Sequence, residues 1–407
     1  MNMKTVMIAL AAVVTALGGE AAVSVSNVVC TQRYPWNGMV DIDYEIVSDQ
    51  PGALFWVYPK GTDNWLGKRV IMNTLSGDGA TNAVGVGKHR MVWDAKTDMP
   101  KYHTKDLQVT LQVIANAAKY LVVDVSNGPT APFYNLRYSC EPPDLNDDTC
   151  RSDEIWLRLV LPGTFTMGSP TSEYGHENQA EELHQVTLTK PYYMGVFEIT
   201  QKQYQNVMGT NPAGNIGDFR PVENVSYDDI RGSVLGAKWP TSHEVDTNSF
   251  MGVIRAKTSL VWDLPTEAQW EYACRAGTTT SLNTGKNVSY WRCSEMDETG
   301  RYQDNNYRNI RGFAGATAPV GYFSPNSIGL YDMHGNVSEW CLDYYNSYVG
   351  TLPVTDPEGW TGGNRTFRGG SFAREAQYCR SASREYANWA HRDSARGFRP
   401  VVLPFDE

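Results

Sequence analysis

The sequence predicts an α+β protein in which a small antiparallel β-sandwich precedes a larger domain of short strands, short helices and long ordered loops. Three observations carry this. The 407 residues include 36 Gly, 12 Trp and 23 Tyr with few long amphipathic runs, a texture that favours short strands and structured loops over helical bundles. Apolar and polar residues alternate with period two from residue 23 to about residue 125. Past a Pro- and Asp-rich stretch at 141–153, that alternation gives way to turn-rich segments and brief helical patterns. The chain therefore divides into a leader (1–22), a sandwich of immunoglobulin or fibronectin type (23–140), a linker (141–153) and the larger domain (154–407).

The leader reads as an export signal. Lys4 supplies a positive start, residues 6–14 form a short apolar core, and Gly18, Gly19, Ala21 and Ala22 place cleavage near Ala21 or Ala22. The apolar run is too short to span a bilayer comfortably, and no later segment approaches a span, so no transmembrane segment is expected. The expectation is a signal-peptide-directed protein of the periplasm or the extracellular space. A net charge of −10 argues against a nucleic-acid partner. Export makes disulfides permissible for the seven cysteines, whose odd count leaves one thiol over in a monomer. Cys140 and Cys150 flank a polar loop, and a local bridge between them is expected.

In the sandwich, Val40-Asp41-Ile42-Asp43-Tyr44-Glu45-Ile46-Val47 alternates as a half-buried antiparallel strand should. Residues 54–58, 89–93 and 107–113 read as further strands, separated by turn signals at 49–52, 60–64 and 76–79. No cluster of His, Cys or paired carboxylates points to chemistry here, so this part reads as an accessory domain. Residues 120–125 are either its last strand or the start of the connection.

In the larger domain, residues 156–161, 183–188 and 192–199 read as strands. Thr200 caps a helix from Gln201 to Met208, and Thr266 caps a short amphipathic helix that follows it. The least periodic stretch is Gly329 to Tyr345, GLYDMHGNVSEWCLDYY. Its Gly335-Asn336-Val337-Ser338-Glu339 segment sets an amide oxygen and a carboxylate three residues apart. This fits either an oxygen cage for a hard cation such as Ca²⁺ or a turn followed by a capping carboxylate.

Taken in order, FTMGS at Phe165, YYMGVFEITQKQY at Tyr192, RPVENVSYDD at Arg220 and LPTEAQWEYACRAGT at Leu264 form one series. It continues through APVGYFSPNSIGLYDMHGNVSEW at Ala318, FRGGSF at Phe367 and RGFRPV at Arg396. The series resembles the formylglycine-generating enzyme (sulfatase-modifying factor) family and spans roughly residues 150 to 405. The resemblance implies a C-type-lectin-like formylglycine-generating-enzyme fold, low in regular secondary structure and often holding calcium. It places a calcium site at Asn336, Glu339 and a main-chain carbonyl near Val337. A second family calcium site falls at Arg311-Gly312-Phe313, where an Arg replaces the carboxylate.

The family's enzymes oxidise a sulfatase cysteine to formylglycine with O₂ and a copper(I) ion held by two cysteines shortly after the GGS element. Here Arg374 occupies the first of those positions. Only Cys379 remains, in the segment that follows Ser371, so the resemblance carries a catalytic role no further than these two residues. Soft Cu(I) selects thiolates, and one sulfur does not reproduce two-thiolate coordination. A disulfide from Cys379 to Cys274, the family's bridging position, or to Cys341 is the structural expectation. The functional expectation is an exported sulfatase-modifying-factor-like protein acting as a binding or scaffold domain. Arg374, Trp389, His391 and Arg392 would then face a peptide, protein or glycan. The alternative is a formylglycine-generating oxidase.

Overall fold

The computed structural model describes residues 6–8, 23–35, 37–49, 52–65, 67–70, 72, 74–80, 82–100, 106–115, 119–307, 315–346, 350–359 and 362–403. Apart from Val6–Ile8, the leader lies outside the described residues, as does the Arg311-Gly312-Phe313 triplet. The chain forms two compact units, residues 1–119 with 137–141 and residues 120–136 with 142–407.

The first unit contains strands β1 (Val6–Ile8), β2 (Val23–Gln32), β3 (Met39–Ser48), β4 (Phe55–Asp63), β5 (Lys68–Val70), β6 (Leu75–Gly77), β7 (Gly87–Asp94) and β8 (Leu107–Ala115), with one helical turn, α1 (Ala95–Asp98). Two antiparallel sheets result, ordered β1-β2-β3-β7-β6 and β5-β4-β8. In β3 the apolar set Val40, Ile42, Tyr44 and Ile46 is buried, while Asp41, Asp43 and Glu45 are only half-buried. Inward residues of both sheets, among them Ile42, Phe55, Val57, Trp93 and Leu111, share a single core. Burying one face of each sheet is what this alternation requires.

In the second unit the strands are β9 (Tyr120–Asp124), β11 (Glu154–Val160), β12 (Gly163–Met167), β13 (His184–Leu188), β14 (Tyr192–Gly195), β15 (Val261–Asp263), β16 (Ser338–Tyr344), β17 (Val354–Thr355), β18 (Arg365–Arg368), β19 (Arg384–Ala387), β20 (Arg396–Gly397) and β21 (Val401–Leu403). The division between units crosses β10 (Asn135–Ser139). The helices are short: α2 (Thr149–Ser152), α3 (Gln201–Met208), α4 (Tyr227–Arg231), α5 (Phe250–Thr258), α6 (Glu267–Arg275) and α7 (Gln303–Tyr307). Strands β9, β11, β14, β21 and β15 lie side by side in that order, and β9 pairs with β11 through Leu121 opposite Leu157. Residues 120–124 thus belong to this unit's sheet. The 141–153 stretch supplies α2 and the buried Cys150.

Local chemistry explains the helix starts. Thr200 accepts from the Gln203 N–H while the Gln203 side chain accepts from the Thr200 N–H, and Thr266 and Gln269 repeat the arrangement. Gly209, in the left-handed region, ends α3. The sheet that positions the candidate site has the order β19-β18-β16-β20, with β20 parallel to β16. Its central strand, β16, is the SEWCLDY part of the 329–345 stretch, and Trp340 within it is fully buried. At Gly335 the backbone has φ +94°, and a Cβ there would lie 2.1 Å from the Arg301 carbonyl oxygen, so only Gly fits.

Candidate functional site

A groove of about 560 Å³ opens on the second unit. It is lined by the 175–177 loop, Tyr345, Phe367, the 374–378 turn, β19, His391 and Arg396. Pairing within one sheet gathers the far-apart segments: Phe367 lies opposite Glu385 and Trp340, and Ser338 opposite Arg396.

Buried ion pairs hold these walls. Arg384 of β19 donates to both oxygens of Glu267 in the first turn of α6, at 2.7 Å from Nη2 to Oε2. Arg380, behind the 374–378 turn, meets Glu181 at 2.7 Å and Glu173 at 2.7 Å. Arg368 pairs with Glu271, which also takes Arg275 at 2.8 Å. With every member near zero exposure, removing one partner would strand a charge in a low-dielectric interior.

The polar groups on the groove, and the Ser169–Glu181 pair behind its His176, are arranged differently. Ser169 Oγ lies 2.5 Å from Glu181 Oε2 and 2.8 Å from His176 Nδ1. Burial would raise the Glu181 carboxyl, but Arg380 and Ser169 outweigh it and hold it below its ordinary value. The carboxylate therefore accepts, Ser169 spends its one proton on it, and His176 Nδ1–H must donate to Ser169. In the neutral imidazole, Nε2 is then left as a bare acceptor, and it is buried with no partner. Across the lining, Arg396 Nη1 donates to His391 Nδ1 at 3.0 Å. Arg374 pairs with Glu385 and lies over the Tyr378 ring at 5.6 Å. Burial pushes the Glu385 carboxyl up despite Arg374 and Arg396.

Of the four residues expected to face a ligand, Arg374 and His391 line the groove. Trp389 and Arg392 do not. Arg392 is spent on Asp229, at 2.8 and 2.6 Å, and Trp389 stands half-exposed beside it. The residues that sequence reasoning missed are His176, Phe367, Tyr378, Tyr386 and Arg396. Arg396 stood in plain view within the RGFRPV block, where it read only as a fold marker.

Cys379 and Ser371 sit behind the wall and do not line the groove. Cys379 is fully buried with Leu282, Val288, Cys293, Met296, Tyr302 and Ala376, and burial pushes its thiol up to about 12. Among the described residues, the polar groups its sulfur meets are the Glu375 and Ser371 carbonyls, at 3.7 and 4.0 Å. Gly370 passes so close that a Cβ there would lie 2.5 Å from that sulfur. The expected disulfides are not formed, since all seven cysteines are free thiols. Cys274 instead approaches Ser381 Oγ at 3.6 Å, Cys341 approaches the Glu339 carbonyl at 3.9 Å, and Cys150 packs on Asp147. Cys140 is exposed.

Asn336, Val337 and Glu339 come together, but their polar groups face protein partners. Glu339 accepts from Arg399, at 2.7 Å from Nη2, and from Trp270 Nε1 at 2.6 Å. Asn336 Oδ1 accepts from Ala318 N, and its amide donates to Glu198, as does the Val337 N–H. A cation here would compete with the Arg399 guanidinium for the same two oxygens. Glu198 and Asp332 complete a buried acidic group around Arg399. Burial, then Asp332 and Glu339, raise Glu198 well above its ordinary value, and burial pushes Asp332 up to about 7. Among the described residues, no set of three or more His, Cys, Asp or Glu converges as metal ligands.

Comparison with known proteins matches residues 148–403 to the family described as the sulfatase-modifying factor enzyme 1-like domain. The chain is 33% identical over 225 residues to chaperone protein LppX of Paenibacillus barcinonensis, covering 49% of this chain and 74% of that protein. It is 28% identical over 262 residues to the formylglycine-generating enzyme of Streptomyces coelicolor, covering 54% and 80%. The structure of PvdO from Pseudomonas aeruginosa matches with a TM-score of 0.50 at 24% identity, over 61% of this chain and 94% of that one; this likeness bears on the fold alone.

Proposed function

The chain belongs to the sulfatase-modifying factor enzyme 1-like family, and from that premise we propose that it is an exported binding or scaffold protein whose groove takes a peptide, protein or glycan segment. The groove's lining carries the reading. Four aromatic side chains, Tyr345, Phe367, Tyr378 and Tyr386, with Arg374 and His391, surround a space of about 560 Å³. Flat rings with polar edges suit peptide and sugar faces alike. The relative named as a chaperone supports a role in binding rather than turnover.

Copper-dependent oxidation fits the residues poorly. Cu(I) would need two accessible thiolates, whereas Arg374 stands at one family position and the Cys379 sulfur is buried, protonated and turned to carbonyls. No helix among the described residues is long and apolar enough to cross a membrane.

The test is binding of the full chain to peptide and glycan arrays, with Tyr378→Ala and Tyr386→Ala as variants. Both rings are partly exposed, so these variants should fold, and loss of array binding in both is the expected result. Stoichiometric Cu(I) uptake with loss of the thiol mass from a sulfatase-type cysteine peptide would replace this reading with the oxidase.

A further inference from the structure

Arg396 differs from most of the buried arginines around it; Arg365, which among the described residues also meets no carboxylate, spends its terminal donors on the Leu342 and Ala237 carbonyls. Arg231, Arg275, Arg368, Arg380, Arg384 and Arg399 are buried and each meets a carboxylate within ion-pair distance. Arg396 is only 6% exposed, yet among the described residues no carboxylate lies within ion-pair distance of it. Among the described residues the guanidinium's one hydrogen bond goes to an uncharged acceptor atom, His391 Nδ1, and its Nε–H is buried without a partner. The guanidinium carbon lies 3.9 Å from the Phe367 ring centroid and 4.8 Å from that of Trp340, so aromatic faces hold the cation in place. Glu385 and Asp393 are the nearby acidic groups. Glu385 is engaged by Arg374, and neither reaches Arg396. A guanidinium in this setting has its charge uncompensated and planar N–H donors unspent, at the wall of a groove that a ligand can enter.

We propose that the Arg396 end of the groove is an anion subsite, seating a carboxylate, sulfate or phosphate group of whatever occupies the groove. The proposal deepens the binding reading and rests on it. Burial lowers Arg396 to about 10, with Asp393 and Glu385 only partly restoring it, which is the electrostatic demand that a bound anion would meet. Arg374, on the same lining, would add a second positive charge once Glu385 is neutralised or displaced. His391 needs no rearrangement, because its acceptor already orients the guanidinium.

The experiment is calorimetric titration of the full chain with sodium acetate, sodium sulfate and sodium phosphate, against sodium chloride at matched ionic strength. Acetate reports a planar carboxylate site, and sulfate or phosphate a tetrahedral one. At least one oxyanion should bind saturably where chloride does not. Arg396→Gln should weaken it by about tenfold or more, and Arg396→Lys should recover part of the loss. Should Arg396→Gln fail to fold, Glu385→Gln supplies the second arm. It removes the carboxylate that occupies Arg374 and lies near Arg396 on a half-exposed strand, and should tighten the anion. Oxyanions behaving as chloride, undiminished binding in Arg396→Gln, or no gain in Glu385→Gln would each overturn the subsite. A neutral array ligand lost on Tyr386→Ala with no oxyanion response would overturn the subsite and leave the groove standing, so the two failures are distinct.

Discussion

His334 donates its Nδ1–H to the main-chain carbonyl of Cys379 at 2.7 Å, while its Nε2 accepts from the Asn283 N–H at 3.1 Å. A carbonyl can only accept and an amide N–H can only donate, so these two bonds fix one neutral tautomer. The contact ties the turn-rich 329–345 stretch to the segment after Ser371. In this chain the histidine of the GLYDMHGN run is thus a brace for the wall behind the groove.

That brace has a pH consequence that a neighbour hides. Burial holds His334 at about 4 against an ordinary 6.5. Below pH 6.5 the unfolded chain takes up a proton that the folded chain refuses, so this residue's contribution falls as pH drops from about 6.5 to about 4. Asp332 works the other way. Its folded value is about 7 against 3.8, so the folded chain keeps a proton that the unfolded chain releases, and stability falls as pH rises from about 4 to about 7. The slopes oppose each other across most of that window. Glu198 and Asp343 are raised as well and slope as Asp332 does, so the two residues are read as differences from wild type. From about pH 4.5 to 7 the melting temperature of His334→Gln should fall steadily relative to wild type, and that of Asp332→Asn should rise steadily relative to it. Parallel melting profiles for the two variants would sink this account.

Arg399 neutralises the buried acidic group of Glu198, Asp332 and Glu339. Arg399→Met leaves those carboxyls without their cation and should destabilise the protein by about 3–5 kcal/mol in denaturant melts. Adding Glu339→Gln should recover part of the loss. Because Arg399 already satisfies Glu339, chelation should leave the wild-type melting temperature unchanged. A clear fall with chelator would instead place calcium at Asn336, Val337 and Glu339.

Thiol reactivity distinguishes the one exposed cysteine from the rest. Cys140 is exposed, while burial pushes Cys30, Cys274 and Cys379 up to about 12. Brief treatment of the folded protein with iodoacetamide near pH 8 should label Cys140 alone, and all seven cysteines should react after unfolding without reductant. Labelling of Cys379 as fast as Cys140, read by peptide mass, would put its sulfur in an open cleft and reopen the oxidase reading.

Much of the fold was legible because it is encoded locally. The Thr200–Gln203 and Thr266–Gln269 capping boxes lie within one helical turn, and the Val40–Ile46 alternation lies within one strand. The site was less legible because its parts meet through pairing between distant strands. Only the parallel pairing of β20 with β16 puts Arg396 beside Trp340 and the groove, and no local pattern signals it. Arg392 looked like a ligand contact, but the cap of α4 places Asp229 within its reach. The cysteines misled for a different reason: expected export made bridges permissible and the family resemblance placed one at Cys274, yet Cys274 and Cys341 serve as small apolar residues in a core with Trp270 and Leu330.

The last prediction concerns His176, whose orientation follows from two partners it does not choose. Arg380 keeps Glu181 ionised, Glu181 accepts the Ser169 hydroxyl's hydrogen bond, and Ser169 must then accept from His176 Nδ1–H. Long-range ¹H–¹⁵N correlation spectra should therefore show His176 as the Nδ1–H tautomer, with Nε2 bare and buried. Ser169→Ala removes the acceptor that selects this state, so the spectrum should move toward a tautomer mixture. The loss of one hydrogen bond to a charged group should cost about 1.5–3 kcal/mol. A merely structural Ser169 would lower stability and leave the tautomer alone, and a wild-type Nε2–H signal would refute the relay outright.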